Sequence, residues 1–526
     1  MGVSKTWRLP ALIWLFSIGL IYSTTLIGKY LVGSDLHLEY YFANQTLLNG
    51  WDSSVPHAYN GALSVTLLAP FLSKLFSIDL YTVFKFVFPF IYSFVPVILY
   101  FIYRKYVSDK KAFIAALLFI IVPTFFNEIT GIGKEQIGEL FLALTFLTLV
   151  NKRWKLTALF GIITIMAHYS MGFILAFYLV AYVGGLVVLT RRLDWKLIAS
   201  VVFILVSGTL FLGNVADGIP LKSAQFVGDS YFTPINQLTH PQGYNISYIN
   251  TTAGGYYQDE PAQNAYLDLG NRENIVQTAL GLDFFDVPIE GKIFRLAQFS
   301  IQALVLLGCW LLWKRKARPE IIVLVAASFL LLLACVVVPG FSKILNASRF
   351  YHLAMFFIPV VIVQINWHKF LIVLVSVYFT FTSGLVFESF KLLPMEVNVP
   401  YSIAASHNRL DLGTNFSDDD VVCAKWLQEN VTDTNIYSDI YGLLIIQETL
   451  GLHPLYLILP DTDIDGYLFL RSYSIEQNYV TIWRSPGLRE YVPIDVFNEQ
   501  LVNRVIVFQS GSSIVYSPEI SSMDGM

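Results

Sequence analysis

The sequence predicts a polytopic α-helical membrane protein of about eleven spans, followed by a small C-terminal α/β domain on the extracytoplasmic side. Three observations predict it. The 526 residues are 55% hydrophobic and only 14% charged, where soluble domains carry about 25% charge. Apolar runs of roughly 20 residues recur from Leu9 to about Val386, each long enough to cross a hydrocarbon core of about 30 Å. After about Glu388 the polarity becomes ordinary and no span-length apolar run remains.

Orientation follows from the basic residues, which are costly to translocate. Half of the 34 Lys and Arg fall in six short segments: Lys5/Arg8, Arg104–Lys111, Lys152–Lys155, Arg191–Lys196, Lys314–Arg318 and Lys369. Placing all six inside requires an even number of spans between neighbours. Three apolar runs lie between Leu9 and Arg104, namely 9–32, 61–78 and 83–103. The middle one is interrupted by Pro70 and Lys74 and is read as an interfacial or re-entrant segment. The spans are then 9–31, 83–103, 112–126, 137–150, 156–172, 173–190, 197–214, 294–313, 320–338, 353–366 and 370–387. The N-terminus is cytoplasmic. The first run is too long for a signal-peptide core and lacks a cleavage pattern, so it reads as a retained span. The transmembrane domain covers 1–388, with a first outer loop at 33–81 and a long outer loop at 215–293. The extracytoplasmic domain covers 389–526. All six N-x-S/T sequons (Asn44, Asn245, Asn250, Asn346, Asn415, Asn430) fall outside.

Within the C-terminal domain, Ser417-Asp-Asp-Asp420 reads as a helix start, a capping residue followed by acids that suit the dipole. That helix runs to about Asn430. A strand at 435–439 and a helix at 443–450 follow. Tyr467–Ser474 with Tyr479–Arg484, and Asn503–Phe508 with Ser513–Tyr516, read as two hairpins.

Three cysteines (Cys309, Cys335, Cys423) give neither a disulfide framework nor a zinc spacing. No nucleotide fingerprint, nucleophile elbow or nucleic-acid-binding pattern is present. What remains is charge at the outer ends of the spans: Asp35, His37 and Glu39 in G-S-D-L-H-L-E-Y-Y-F, then Glu128, Lys134, Glu135 and Glu139, then His168, then Arg349 and His352. Ionisable groups near span ends cost free energy unless hydrated or paired. A hydrated cavity lined by both signs explains them together, with carboxylates as general base or cation ligand and Arg or Lys clamping phosphate. Simpler readings stand beside this one. Asp35 and Glu39 also fit solvated helix-start acids, Glu128 and Glu135 surface acids, His168 a packed histidine, and Arg349 a partner for lipid phosphate. The i, i+4 spacing of Asp35 and Glu39 puts them on one helical face, which His37 joins only on a strand or irregular loop.

This layout resembles the GT-C superfamily of membrane glycosyltransferases: an acidic motif just after span one, an interfacial segment in the same loop (Asn60–Ile78), many spans and a C-terminal outer domain. The chain also resembles an uncharacterised family of archaeal multi-pass membrane proteins. That likeness is carried by G-S-D-L-H-L-E-Y-Y-F, V-F-K-F-V-F-P-F from Val83, G-K-E-Q-I-G-E-L-F from Gly133, A-H-Y-S from Ala167, S-R-F-Y-H from Ser348, and A-K-W-L with I-Y-S-D-I-Y-G. The resemblance implies that Asp35, with Glu39, is catalytic, as acid-base or as ligand of a divalent ion such as Mg or Mn. The donor it implies is a polyprenyl-phosphate sugar, its phosphate held by Arg349 or Lys134. The second acidic position is Glu128 or Glu139, and His37, His168 and His352 complete the substrate-binding set. The acceptor is a surface glycan, glycolipid or protein. The W-W-D-type signature of oligosaccharyltransferases is missing, which argues against transfer to protein asparagine. Two other functions fit the layout: a transporter or flippase of lipid-linked sugars, and a membrane anchor presenting the C-terminal domain.

Overall fold

The computed structural model describes residues 7–219, 221, 274–338, 341, 345–390, 416–432, 434–460, 463–485, 488–502 and 504–518. Most of the long loop 215–293 and the sequons at Asn245, Asn250 and Asn415 lie outside the described residues.

Among the described residues, six helices are long and apolar enough to cross a bilayer: Arg8–Thr25, Leu80–Tyr103, Tyr169–Thr190, Trp195–Asn214, Ile289–Lys314 and Pro319–Val337. They match six of the eleven expected spans. The pair Asp109–Ile120 and Thr124–Gly131, bent by 57°, passes the same test together, as a broken span or a re-entrant loop, at the place of a seventh expected span. The other four expected spans are helices that fall short. Gly133–Val150 carries Lys134, Glu135 and Glu139 in its first two turns. Trp154–Ala167 has 14 residues and rises only about 21 Å at 1.5 Å per residue. The stretch 353–366 is broken into Ala347–Ala354 and Ile358–Ile362, and His368–Thr382 has 15 residues. The segment 61–78 forms the short apolar helix Ser64–Phe76, also too short to cross.

Three apolar cores result. One fills the helical bundle, with Tyr92, Phe119, Phe125, Tyr178 and Phe356 fully or almost fully buried. A second packs the first loop, Leu36, Leu38 and Phe42, onto Val65, Phe84 and Phe88. The third lies under the C-terminal sheet.

That sheet has strand order β2-β1-β3-β7-β6. Strands β1 (Ile436–Ser438), β2 (Leu455–Leu457) and β3 (Tyr467–Leu470) are parallel. The strands β6 (Ile506–Ser510) and β7 (Ser513–Tyr516) form the expected second hairpin, and β7 runs antiparallel to β3. The first expected hairpin does not form. Helix Ser472–Gln477 separates β3 from β4 (Tyr479–Ser485), and β4 pairs instead with β5 (Leu488–Pro493). The reason is Arg471. Its fully buried guanidinium grips Asp439 in a bidentate pair at 2.7–3.2 Å, so the chain leaves β3 inward. Asp420 then accepts from the Ser472 amide at 2.8 Å and the Ser513 hydroxyl at 2.7 Å. The Ser417 start is as expected, with a reciprocal capping box to Asp420.

The C-terminal region docks on the first loop. Helix Ile440–Leu450 packs against helix Asp35–Asn49, and buried His37 Nδ1 lies 2.8 Å from Glu448 Oε2. His37→Ala leaves Glu448 buried without that partner, a loss of about 1–3 kcal/mol. The expected outcome is faster amide exchange across 440–450 with exchange in Tyr169–Thr190 unchanged.

Candidate active site at the first loop

Helix Asp35–Asn49 begins two residues after Gly33, with Ser34 between them at the N-cap, and the Gly33 φ of +130° is open to glycine. Gly33 also lies against Gly131, where an added Cβ would stand 2.3 Å from the Gly131 Cα. Two glycines therefore bring the first loop against the turn 124–131. Asp35 opens the helix and Glu39 lies one turn on, so both carboxylates face that turn. His37 projects to the other side and meets Glu448; of the two geometries open to it, the helix separates it from the acidic pair.

The opposite wall is the N-terminus of helix Gly133–Val150. Glu39 Oε2 accepts from the Gly133 and Lys134 amides at 2.7 and 3.3 Å, and Oε1 accepts from Lys134 Nζ at 2.8 Å. Gly133 permits this approach, since its Cβ would stand 2.8 Å from Glu39 Oε2. Lys134 Nζ also donates to Asp35 Oδ2 at 2.7 Å and sits 3.6 Å from the Tyr59 ring centroid. The Lys134 and Glu39 side chains are 2% and 0% exposed, that of Asp35 23%. Asp35 is thus the more accessible carboxylate of the pair.

Burial alone would raise the Asp35 carboxyl; the charges of Lys134 and then Arg349 overcome it and hold Asp35 well below the usual carboxylate range. Burial pushes the Glu39 carboxyl up against the pull of Lys134. Burial opposes the Lys134 ammonium, yet Asp35 and Glu39 hold its proton well above the ordinary value. Replacing a buried ion cluster by apolar packing is often neutral or stabilising by about 1–4 kcal/mol. Stability alone is therefore a weak reason for this cluster, and charged groups buried together at one point make it a candidate functional site.

A second array continues inward along the same helix. Arg349, from helix Ala347–Ala354, donates Nε to Glu128 Oε1 at 3.0 Å, and its Nη1 lies 3.5 Å from Glu135 Oε2. One turn further, His352 Nε2 lies 2.9 Å from Glu139 Oε2, which also accepts from the Tyr92 hydroxyl at 3.1 Å. Glu135 and Glu139 (i, i+4) thus face Arg349 and His352 (i, i+3) as two rungs. Both Glu135 oxygens, Glu139 Oε1 and His352 Nδ1 have no hydrogen-bond partner among the described residues. Glu135 was expected as a surface acid; it is 1% exposed, because helix 133–150 enters the bundle at its first turn. Burial, against the opposing charge of Arg349, raises its carboxyl above the ordinary range. His168 begins helix Tyr169–Thr190, its Nδ1 accepting from the Ser170 and Met171 amides at 3.0 and 3.3 Å. Its Cβ packs against Gly138, one turn from Lys134, where an added Cβ would stand 2.9 Å from it.

The structure therefore brings Asp35, Glu39 and Lys134 together, sets Arg349 with Glu128 beside them, and places Glu139 with His352 one layer deeper. Tyr59 and Tyr92 join the site although the sequence did not single them out, and Glu135, one of the charges read at the span ends, joins it as a buried group rather than a surface acid. For Glu135 a signal existed, its i, i+4 relation to Glu139. For Tyr59 and Tyr92 there was none, since aromatic residues are common throughout this chain.

The donor set does not fit a divalent ion between Asp35 and Glu39. Lys134 Nζ occupies the point both carboxylates share. Among the described residues no group of three or more His, Cys, Asp or Glu is placed to hold a metal.

Near the cluster, His57 stacks on Phe42 at 4.8 Å and its Nδ1 accepts from the Tyr59 amide. Burial, then Lys134, push its ring down to about 4 from the ordinary 6.5. The unfolded chain takes up this proton near pH 6.5 and the folded chain only near 4. The stability His57 contributes is complete above pH 6.5 and is lost as pH falls to about 4, by roughly 3 kcal/mol. Melting curves between pH 7.5 and 4.5 should show this loss, reduced in His57→Gln.

Residues 286–517 match the model of a family described as predicted membrane protein (DUF2206). No curated protein matches. Among solved structures, the apo oligosaccharyltransferase of Archaeoglobus fulgidus is similar at TM-score 0.47 and 13% identity, over 86% of this chain and 64% of that one. The chain thus spans less than two thirds of that enzyme. Arabinofuranosyltransferase AftD from Mycobacteria aligns with all of this chain and 40% of its own, at 14% identity and TM-score 0.46. ArnT from Cupriavidus metallidurans, bound to undecaprenyl phosphate, aligns over the whole of both chains at 10% identity and TM-score 0.47. Six span-length apolar helices and the match to a predicted membrane protein family make this chain a membrane protein.

Proposed function

We propose that this protein is a membrane glycosyltransferase. It takes a sugar from a polyprenyl-phosphate donor and passes it to a cell-surface glycan, glycolipid or protein at the outer face of the membrane. The observation that carries the reading is the Asp35–Lys134–Glu39 cluster, a reachable carboxylate held in place by a buried ammonium at 2.7 Å, with a second cation, Arg349, beside it. The resemblance of G-S-D-L-H-L-E-Y-Y-F to the acidic loop of GT-C enzymes supports the same reading.

In the transfer, Asp35 accepts the proton of the acceptor hydroxyl. The acceptor oxygen bonds to the anomeric carbon as the bond from that carbon to the phosphate oxygen breaks, and the electron pair leaves with the phosphate. A carboxylate held below the usual range is a weak base. It suffices because the hydroxyl becomes acidic only as its new bond forms. Arg349 stabilises charge gathering on the phosphate, and Lys134 holds Asp35 in place. Glu39 keeps Lys134 in position, being bound to it and to two helix-end amides. The C-terminal region, whose helix Ile440–Leu450 docks on the first loop through Glu448 and His37, helps choose the acceptor.

The test is transfer of labelled sugar from a panel of polyprenyl-phosphate sugars to endogenous acceptors, in membranes with and without the protein. Protein-dependent transfer is the expected result. Protein-dependent movement of the lipid-linked sugar across the bilayer, with no transfer, would favour a flippase instead.

A further inference from the structure

We propose that Lys134 is the resident cation of this site, standing where a divalent ion would bridge Asp35 and Glu39, so that the chemistry here runs without divalent metal. The proposal deepens the glycosyltransferase reading and rests on it for its catalytic consequence; the occupancy of the site is a separate, directly measurable matter.

The geometry is that of an ion and its ligands. The ammonium donates to one oxygen of each carboxylate, at 2.7 and 2.8 Å, and turns a further face to the Tyr59 ring at 3.6 Å. Its three donors and its charge are thereby met from three sides. A divalent ion needs carboxylate oxygens at about 2.0–2.6 Å. It cannot share this volume with an Nζ already in hydrogen-bond contact with both acids. The remaining Glu39 oxygen is no free ligand either, since the Gly133 and Lys134 amides hold it. Lys134 has no easy exit. Its side chain is 2% exposed and springs from the first turn of the helix whose end Glu39 caps, so displacement would strand a buried ammonium next to a double positive charge. On the far side, Arg349 faces Glu128 and Glu135, which removes those acids as further metal ligands.

The role follows from tethering. A covalently held cation cannot be lost with a leaving phosphate or removed by a chelator. It carries one charge, enough to fix two carboxylates while leaving Asp35 ionised and facing the acceptor.

The experiment uses the purified full-length protein in detergent, stripped with EDTA and titrated with MnCl2. Manganese binding is read by its electron paramagnetic resonance signal, and stability by thermal unfolding. Wild type is expected to show no Asp35-dependent binding and no shift in Tm. Lys134→Met removes the cation and leaves the two acids, so it is expected to gain manganese binding and a Tm that climbs with ion concentration. The gain should vanish in Asp35→Asn/Lys134→Met. If Lys134→Met does not accumulate, Lys134→Gln serves, since it keeps a polar head. Binding to wild type that Asp35→Asn abolishes would overturn the proposal, as would a lysine variant that gains no affinity. Failure to detect sugar transfer would count against the glycosyltransferase reading and leave this result standing.

Discussion

Membranes carrying Asp35→Asn are expected to lose sugar transfer by about 10²–10⁴-fold relative to wild type, at unchanged expression. The substitution is nearly isosteric, and Asn can still accept from Lys134 Nζ through its carbonyl oxygen. What disappears is the negative charge and the ability to take a proton, on the one carboxylate of the cluster that solvent reaches. The folding cost should be small because Glu39 continues to pair Lys134 at 2.8 Å. A loss confined to kcat, with KM for the donor unchanged, would assign Asp35 to the transfer step itself. Equal transfer in both membranes would remove Asp35 from catalysis, and a loss of the protein from the membrane would make it a structural residue.

Lys134→Met carries the largest expected effect on stability, about 3–5 kcal/mol, the cost of stripping the partner from a buried ion cluster. Asp35 and Glu39 then stand close together with no cation between them. Glu39 is fully buried and keeps only the two amide donors. The defect should depend on pH with a definite sign. With the ammonium gone, burial and mutual repulsion raise the folded-state pKa of the acid pair above its unfolded value. The variant is therefore closest to wild type below the unfolded carboxyl range and falls away as pH rises through the folded value. Melting temperatures of the two proteins across pH 4–8 test this. A gap that stays constant with pH would mean that lost packing of the lysine stem, rather than unpaired charge, sets the cost.

Much of the architecture was legible because the bilayer imposes simple rules. Composition, apolar run length and the placement of basic residues determined that the chain enters a membrane many times, that 61–78, barely long enough and interrupted by Pro70 and Lys74, reads as interfacial or re-entrant, and that the character changes after Glu388. Spacing alone put Asp35 and Glu39 on one face, because i and i+4 coincide on a helix. The capping signal at Ser417 was local and formed as read.

What needed the tertiary structure was every relation between residues far apart in the chain. Sequence could not say that Lys134, 99 residues on, closes over Asp35, or that Glu135 turns inward to Arg349 rather than outward to water. It could not send His37 to Glu448, 411 residues away. Nor could it foresee that the Arg471–Asp439 pair would break the expected 467–484 hairpin, since strand propensity reports a preference for extended backbone and not its partner. Spans of marginal length gave the same ambiguity: helices such as Gly133–Val150 carry charge that only the surrounding bundle can pair. The sequence by itself determined which segments are apolar and which charges sit at their ends. The tertiary structure decided which charges meet, because a buried ion is tolerable only where the fold supplies its counter-ion.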